Sequence, residues 1–315
     1  MIRDRQAVVI VSLALLAAGG CGDRDAASDA SPKAKGEGAK KVVEEKVPPY
    51  AYAAPVKGHI KEVNIGDFDL VDGIAYVAQS GAGTVVYVAS RPIASPMLVD
   101  SACPLSQARA LTTLRKASYA EVTLDAKGRS RYFAAGTPSN GSLTDLSPRG
   151  WTSALKADAG KAAGNVVHRN YGRFEFDVPL SHPSVDELSY GDRQKERKPA
   201  ATTPKPTEKA VIVAYVALRD AVHRKDMKAT LSAMGFDAKQ VAAIRGMDGI
   251  DADFAGFTHR FLAPGTPSEP WARAGEGQVI GEGTRANGSK KYRNGYYFDL
   301  CGDRLVLTGI SEQDP

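Results

Sequence analysis

The chain has 315 residues, of which 43% are hydrophobic and 24% are charged, so its composition is that of an ordinary globular protein. Its formal net charge of +5 is mild, and acidic residues are interspersed among the basic ones, which argues against a nucleic-acid partner. The three cysteines and five histidines show no spacing typical of a metal site, and we expect neither a metal nor a cofactor.

Residues 1–20 have the three parts of an export signal. A short segment carries Arg3 and Arg5, an apolar run extends from about Ala7 to Ala18, and small residues lead into Cys21. The run of roughly 12 apolar residues is shorter than the ~20 that a membrane-spanning helix needs. The pattern therefore predicts a signal peptide over residues 1–20.

The end of this segment, Ala18-Gly19-Gly20-Cys21, resembles the lipobox of bacterial lipoproteins, although Ala18 stands where that family usually has leucine. The resemblance implies that the chain is cut before Cys21, whose thiol and new amino group carry acyl chains such as palmitate. Several acyl chains hold a protein stably on a membrane. Gly22 follows the cysteine, and by the sorting rule of enterobacterial lipoproteins this favours the outer membrane. We expect a lipid-anchored protein on the periplasmic side of the cell envelope, with a plain secretory signal as the alternative.

The remaining chain divides into four segments by composition and periodicity. Residues 21–57 lack apolar periodicity and predict a flexible tether. Residues 58–190 alternate as strands do, most clearly from Phe174 to Val178, and one helix from Pro104 to Lys116 interrupts them. Residues 191–206 are rich in proline and charge and predict a linker, which leaves 207–315 as a second domain.

The second domain opens with helices and closes with strands. Thr207, Asp226 and Asp237 each stand where a side chain can cap a helix. Three strand candidates follow, joined by turns at Asn287-Gly288 and Gly302-Asp303: 278–285, 291–300 and 305–310.

The opening segment KAVIVAYVALRDAVHRKDMKATLSAM and the closing strands resemble the nuclear-transport-factor-two-like fold, over about residues 207–311. In that fold a curved antiparallel sheet wraps a long helix into a cone with one open end. We therefore expect the α+β class: a mostly antiparallel β domain with one helix, followed by an α+β cone. The fold hosts enzymes, binding modules and scaffolds alike, so it does not determine the activity.

Four residues are candidates for a pocket in such a cone. Asp251 and Asp253 could supply a carboxylate in apolar surroundings, His259 could partner it, and Tyr215 lies on the apolar stripe of the long helix. In the alternative interpretation, the two aspartates cap a helix and the histidine lies on the surface.

Two cysteines remain once Cys21 is assigned to the lipid. Cys103 and Cys301 form an even pair in a compartment that permits disulfides, and a bond between them would join the two halves of the chain. Two separate buried thiols are the equally open alternative.

Motifs of known enzymes fail on their context. Ser153-Ala154-Leu155-Lys156 has the spacing of serine–lysine hydrolases, but it falls on a predicted strand, whereas that chemistry places the two residues one helical turn apart. We therefore expect a non-enzymatic envelope module whose partner is another envelope or periplasmic protein, with an immunity-type inhibitor as a variant. The alternative is an enzyme or small-ligand carrier that uses the cone.

Overall fold

A computed structural model describes residues 54–313 except for 63–65, 78–82, 138–140, 146–149, 159, 183–205, 262, 265–270, 274–276 and 285–290. Residues 46–315 form one compact unit. The predicted signal peptide, Cys21, nearly all of the predicted tether and linker, and the Asn287-Gly288 turn lie outside the described residues.

The described residues form six helices and fifteen strands. The helices are α1 (Ser95–Leu98), α2 (Pro104–Arg115), α3 (Glu208–His223), α4 (Met227–Ala233), α5 (Ala238–Arg245) and α6 (Ile250–Thr258). The strands are β1 (Val56–Glu62), β2 (Gly66–Leu70), β3 (Asp72–Val77), β4 (Thr84–Ala89), β5 (Tyr119–Leu124), β6 (Ser130–Thr137), β7 (Gly141–Asp145), β8 (Trp151–Asp158), β9 (Lys161–His168), β10 (Gly172–Ser181), β11 (Ala263–Pro264), β12 (Trp271–Arg273), β13 (Gln278–Thr284), β14 (Lys291–Cys301) and β15 (Arg304–Gln313).

Ten strands form the first sheet, which curls into a half-barrel. Its order is β2-β1-β10-β3-β4-β5-β6-β7, and the β8–β9 hairpin adds to β10. Neighbouring strands are antiparallel except β3 and the end of β10, which pair in parallel through Ala75 and Leu180. Along β10 the predicted alternation is confirmed, because Phe174, Phe176 and Val178 are buried while the residues between them are exposed. The buried side chains fill the half-barrel.

The half-barrel begins slightly earlier than the sequence predicts. Val56 and Lys57, which we assigned to the tether, already belong to β1. Val56 is 1% exposed and packs in the core of the half-barrel with Phe174 and Phe176, whereas the exposed Lys57 follows it in the strand and pairs with Glu175.

The second sheet has the order β11-β13-β14-β15, with β12 also paired to β13. All of its pairs are antiparallel. The predicted turn at Gly302-Asp303 is confirmed, and Gly302 adopts a φ of 61° there. Helix α3 packs on β12 and β13.

Helix α2 lies between the two sheets. It contacts β3 and β4 on one side and β15 on the other. Leu105, Ala108, Leu111 and Leu114 are fully buried in one hydrophobic cluster that contains residues from both halves of the chain. Ser106, Gln107, Thr112 and Arg115 are buried as well, so α2 is surrounded by protein on nearly every side. It is the central element of the fold.

The predicted caps of the second half are confirmed. Thr207, Asp226 and Asp237 accept hydrogen bonds from the backbone of the first turn of α3, α4 and α5. The α+β class is confirmed with them. Among the described residues, no helix has the length and apolar character needed to cross a membrane.

Candidate functional site

The four predicted pocket residues lie at different places in the second half. Asp251 and His259 are exposed, at the start and just beyond the end of α6. Asp253 faces two arginines, whereas Tyr215 is buried beneath the second sheet among aromatic rings. Asp253 and Tyr215 therefore have separate surroundings, and His259 is not among the ion-pair partners of Asp253 or the ring neighbours of Tyr215.

Tyr215 belongs to an aromatic cluster inside the second half. Its ring centre lies 4.6 Å from that of Tyr296 and 6.5 Å from that of Phe261. Burial raises the pKa of the Tyr215 hydroxyl, against the opposing effect of a hydrogen bond with Tyr296. A Cβ at Gly281 would lie 2.6 Å from the Tyr215 hydroxyl oxygen, so only glycine leaves room for it. The cluster fills the space between α3 and the sheet.

Two further phenylalanines, Phe254 and Phe257, pack beside Phe261 in the same interior. Phe254, Phe257 and Phe261 are 7%, 0% and 4% exposed, and the rings of Phe257 and Phe261 are 5.1 Å apart. These side chains occupy the interior that a cone pocket would need.

Asp253 makes a structural ion-pair network. It accepts a hydrogen bond of 2.8 Å from Nε of Arg115 and pairs with Arg91. The Arg115 guanidinium, which is nearly fully buried, also donates to the carbonyl oxygens of Pro92 and Asp248 at 2.8 and 2.9 Å. The Asp253 carboxylate thus ties α6 to the C-terminal end of α2 and to the loop that follows β4.

A second buried network joins both sheets to α2. Nη2 of Arg109 donates to the fully buried Glu121 on β5 at 2.6 Å, and Nη1 lies 3.6 Å from Asp299 on β14. Burial alone would lower the pKa of Arg109, but the charges of Glu121 and Asp299 outweigh it and raise that pKa. The Arg109 guanidinium therefore stays charged and does not act as an acid or a base.

A third buried carboxylate positions the loop before α2. Asp72 accepts hydrogen bonds from the backbone of Gly73 and Ile93 and from the Ser95 hydroxyl, at 2.7, 2.6 and 2.7 Å. Burial raises the pKa of Asp72, while these three donors oppose the shift. Ala94, between two of the donors, adopts a left-handed φ of 54°.

Cys103 and Cys301 are joined by a disulfide bond with a Cα–Cα distance of 5.8 Å. Cys103 is the N-cap residue of α2, and Cys301 is the last residue of β14. The bond therefore connects the central helix to the second sheet.

Two open grooves flank the segment before Cys103. The first, which we call the His182 groove, has a volume of about 730 Å³ and is lined by Pro96, Val99, Asp100, Ser101, Ala102, Gly160, Pro179, Leu180 and His182. The second, which we call the Cys301 groove, has a volume of about 470 Å³ and is lined by Pro96, Met97, Asp100, Ser101, Ala102, Gln107, Gly235, Asp237, Lys239, Gln240, Cys301, Gly302, Asp303 and Arg304. Four residues line both grooves, and we call them the ridge: Pro96, Asp100, Ser101 and Ala102.

The walls of the Cys301 groove differ in character from its buried part. Its rim carries exposed charges of both signs, at Asp100, Asp237, Asp303, Lys239 and Arg304. Deeper, the side-chain amides of Gln107 and Gln240 bond to each other and to the backbone, so their N–H groups are already used. Such a groove offers charged contacts at its rim and few unused donors deeper inside.

The serine–lysine motif lies on a strand, as the sequence predicts. Ser153 and Lys156 are on β8, where residues three apart point to opposite faces. The Ser153 hydroxyl donates to the carbonyl oxygen of Gly128 and accepts from the Ser130 backbone. No group of three or more His, Cys, Asp or Glu side chains within the described ranges is arranged to hold a metal ion.

The buried roles of four charged residues were not predicted from the sequence: Asp72, Glu121, Arg109 and Arg115. Arg109 and Arg115 fall on a helix whose apolar stripe was recognised, and a charge next to such a stripe is usually solvated. The signal that could have identified them is the composition of residues 104–115, which contain no acidic residue and no lysine besides these two arginines and so lack the charged face of a solvated helix.

Comparison with protein-family models, curated proteins and solved structures gives no match for this chain.

Proposed function

We propose that the protein is a lipid-anchored component of the bacterial cell envelope that works as a non-enzymatic binding module. The lipobox-like segment that ends at Cys21 carries this proposal. The Cys103–Cys301 disulfide supports it, because disulfides form and persist in oxidising compartments such as the periplasm and are rare in the cytosol. In this proposal residues 21–55 tether the folded unit to the periplasmic face of a membrane, with the outer membrane favoured.

The second half fits the proposed nuclear-transport-factor-two-like cone in the order of its elements. The long helix α3 is followed by three shorter helices, α4 to α6, one more than the resemblance implies. An antiparallel sheet on which α3 packs then closes the second half. In that description, α3 lies inside the cone and the second sheet forms its wall.

The surroundings of the candidate pocket residues favour a binding module over an enzyme. The Asp253 carboxylate is neutralised by Arg91 and Arg115, and the interior beside Tyr215 is packed with aromatic rings. An enzyme or ligand carrier that used the cone would need an accessible apolar pocket with an ionisable group in it.

We propose that the partner is another envelope or periplasmic protein and that it contacts the ridge between the two grooves. The ridge is exposed at Pro96, Asp100 and Ala102, and charges of both signs surround it. A polar rim of this kind is typical of protein contact surfaces. A periplasmic immunity-type inhibitor, which neutralises a toxin by binding it, is one form of this function.

The anchoring is tested by substituting Cys21. We expect the Cys21→Ser variant to lose both its membrane fractionation and its incorporation of an alkyne-labelled palmitate. The Cys103→Ser variant is the matched control, because it removes a cysteine but keeps the lipobox. A Cys21→Ser protein that fractionates with membranes as the parent does would contradict the proposal.

The binding function is tested by crosslinking intact cells that display the anchored protein, followed by its purification. We expect one specific envelope protein to be recovered, and we expect Asp100→Arg on the ridge to weaken that recovery. Asp158→Arg is the control, since Asp158 is an exposed residue at the end of β8 that lines neither groove. Recovery of no specific protein from parent cells would argue against a binding module.

A further inference from the structure

The two sulfur-bearing residues of the disulfide have unequal surroundings. Cys103 is fully buried, whereas Cys301 is 9% exposed and lines the Cys301 groove. Of the two cysteines, only Cys301 lines this groove. A molecule that enters it meets Cys301 first.

Cys103 stands at a helix terminus. It is the N-cap residue of the 12-residue helix α2, and its side chain makes no capping hydrogen bond. The N-terminal end of a helix carries a partial positive charge that stabilises a thiolate. A negative charge on the Cys103 sulfur would therefore be favoured at this position.

We propose that the Cys103–Cys301 bond is an exchangeable disulfide, which a dithiol reductant entering the Cys301 groove opens while the protein stays folded. The two observations give the direction of attack: the groove leads to Cys301, and the helix stabilises Cys103 as the leaving group.

The exchange balances as an ordinary thiol–disulfide reaction. One thiolate of the reductant attacks Sγ of Cys301 and forms a mixed disulfide, while the bond to Cys103 breaks and its electron pair stays on Sγ of Cys103. The second thiol of the reductant, as thiolate, then attacks the reductant's first sulfur in the mixed disulfide, and Cys301 leaves as a thiolate. The reductant leaves as an intramolecular disulfide, and the two cysteines take up two protons to become thiols.

Opening the bond changes the Cys301 groove. Asp100, Ser101 and Ala102, which precede Cys103, line the groove together with Gly302, Asp303 and Arg304, which follow Cys301. The disulfide joins these two lining segments covalently. Its reduction releases that link, so it acts as a redox-sensitive clamp on the proposed contact surface. This last consequence rests on the proposed binding function, whereas the exchange itself does not.

The exchange is tested on the purified full-length chain under native conditions. The protein is incubated with dithiothreitol, samples are quenched in acid, and the freed thiols are counted with a maleimide that shifts mobility on a gel. In parallel, the rate of global unfolding is measured from circular dichroism in urea and extrapolated to water. We expect reduction to be faster than global unfolding, and we expect the reduced chain to keep its native far-ultraviolet spectrum.

The route is tested by narrowing the groove. Ala102→Tyr places a large side chain on the groove wall, and we expect it to slow reduction several-fold. Ala242→Tyr is the matched control, because Ala242 is exposed on α5 and lines neither groove. Its reduction rate should equal that of the parent.

Two outcomes would overturn the proposal: reduction no faster than global unfolding, or equal slowing by Ala102→Tyr and Ala242→Tyr. Neither outcome bears on membrane anchoring, which the Cys21→Ser variant tests separately.

Discussion

At the residue scale, Asp251 and Asp253 on α6 show how burial separates two neighbouring carboxylates. Asp251 is exposed, whereas Asp253 neutralises the buried guanidinium of Arg115. Removing one partner of a buried ion pair leaves a charge without compensation and costs about 3–5 kcal/mol. Arg115 keeps two carbonyl acceptors, and Arg91 is half exposed, so the lower end applies here.

We therefore expect Asp253→Asn to lower the free energy of unfolding by about 3 kcal/mol. Asp251→Asn is the matched control on the same helical turn and should change it by less than about 0.5 kcal/mol. Urea unfolding followed by circular dichroism measures both. Equal effects of the two substitutions would mean that Asp253 does not hold Arg115 in solution.

Asp72 gives a prediction about pH. Burial raises the pKa of its carboxyl in the folded state, so between the unfolded and folded values the folded chain holds one proton more. The stability that this group contributes is present below its unfolded pKa and is lost as the pH rises through its folded pKa. We expect the stability of the parent, relative to Asp72→Asn, to decrease with rising pH across this window.

The same variant has an effect at fixed pH. Both carboxylate oxygens of Asp72 accept hydrogen bonds, and asparagine retains only one acceptor oxygen. Since one buried N–H then loses its partner, Asp72→Asn should cost about 1–3 kcal/mol at neutral pH. The exposed Asp100→Asn is the control for both measurements, which use urea unfolding over a series of pH values. A pH dependence that is identical in the parent and in Asp72→Asn would contradict the assignment.

At the scale of single elements, the end of α2 is strained. Lys116, its C-cap residue, adopts a left-handed φ of 55°, a conformation that costs non-glycine residues about 1–2 kcal/mol. Lys116→Gly removes this strain but adds freedom to the unfolded chain, which offsets about 0.4–1 kcal/mol. We expect a net gain of about 0.5–1 kcal/mol in the free energy of unfolding.

Lys116→Ala separates the strain from the charge, because it removes the ammonium group and keeps the Cβ. It should leave stability unchanged or lower it, as measured by thermal unfolding of the three proteins side by side. A gain in Lys116→Ala equal to that in Lys116→Gly would show that charge, not backbone strain, governs this position.

The elements were predictable where the signal is local. The caps at Thr207, Asp226 and Asp237, the periodicity of α2 and the alternation along β10 depend on residues that are neighbours in sequence. The pairing of the second half of β10 with β3 could not be predicted, because it joins segments about a hundred residues apart. The same holds for α1, a single turn that forms because the distant Asp72 holds its first residue.

The candidate site was less predictable than the elements, for the same reason. Asp251 and Asp253 each have Ala252 on one side and a hydrophobic residue on the other, and the contact that distinguishes them is with Arg115 on another helix. For Cys103 and Cys301 the residues left a disulfide and two free thiols equally open. The structure brings them together through the packing of α2 on the second sheet.

At the scale of the whole molecule, the disulfide links positions 198 residues apart. Closing a loop of that length in the unfolded chain gives a stabilisation of up to about 5 kcal/mol, and native disulfides typically contribute about 2–5 kcal/mol. We expect Cys301→Ser to lower the free energy of unfolding by about 2–5 kcal/mol, as measured by urea unfolding.

The double variant Cys103→Ser/Cys301→Ser is its control, because the bond acts as a unit. Any further loss of stability in the double variant, relative to Cys301→Ser, should stay within about 1 kcal/mol, the usual range for a modest core change. If Cys301→Ser itself lowered the free energy of unfolding by less than about 1 kcal/mol, the bond would not restrict the unfolded chain.

The two halves of the chain share one hydrophobic core, so each depends on the other for folding. Helix α2 buries one side against the half-barrel and the other against the second half, within one hydrophobic cluster. A fragment of residues 54–182 would expose the side of α2 that faces β15, and a fragment of residues 207–313 would expose the inner face of that sheet. A domain needs its own buried core to fold independently.

We therefore expect neither fragment alone to give a cooperative thermal transition, while the two fragments mixed together should recover one. Near-ultraviolet circular dichroism of each fragment and of the mixture measures this, with the intact chain as reference. A cooperative transition in either isolated fragment would show that the boundary near residues 191–206 separates two independently folding domains.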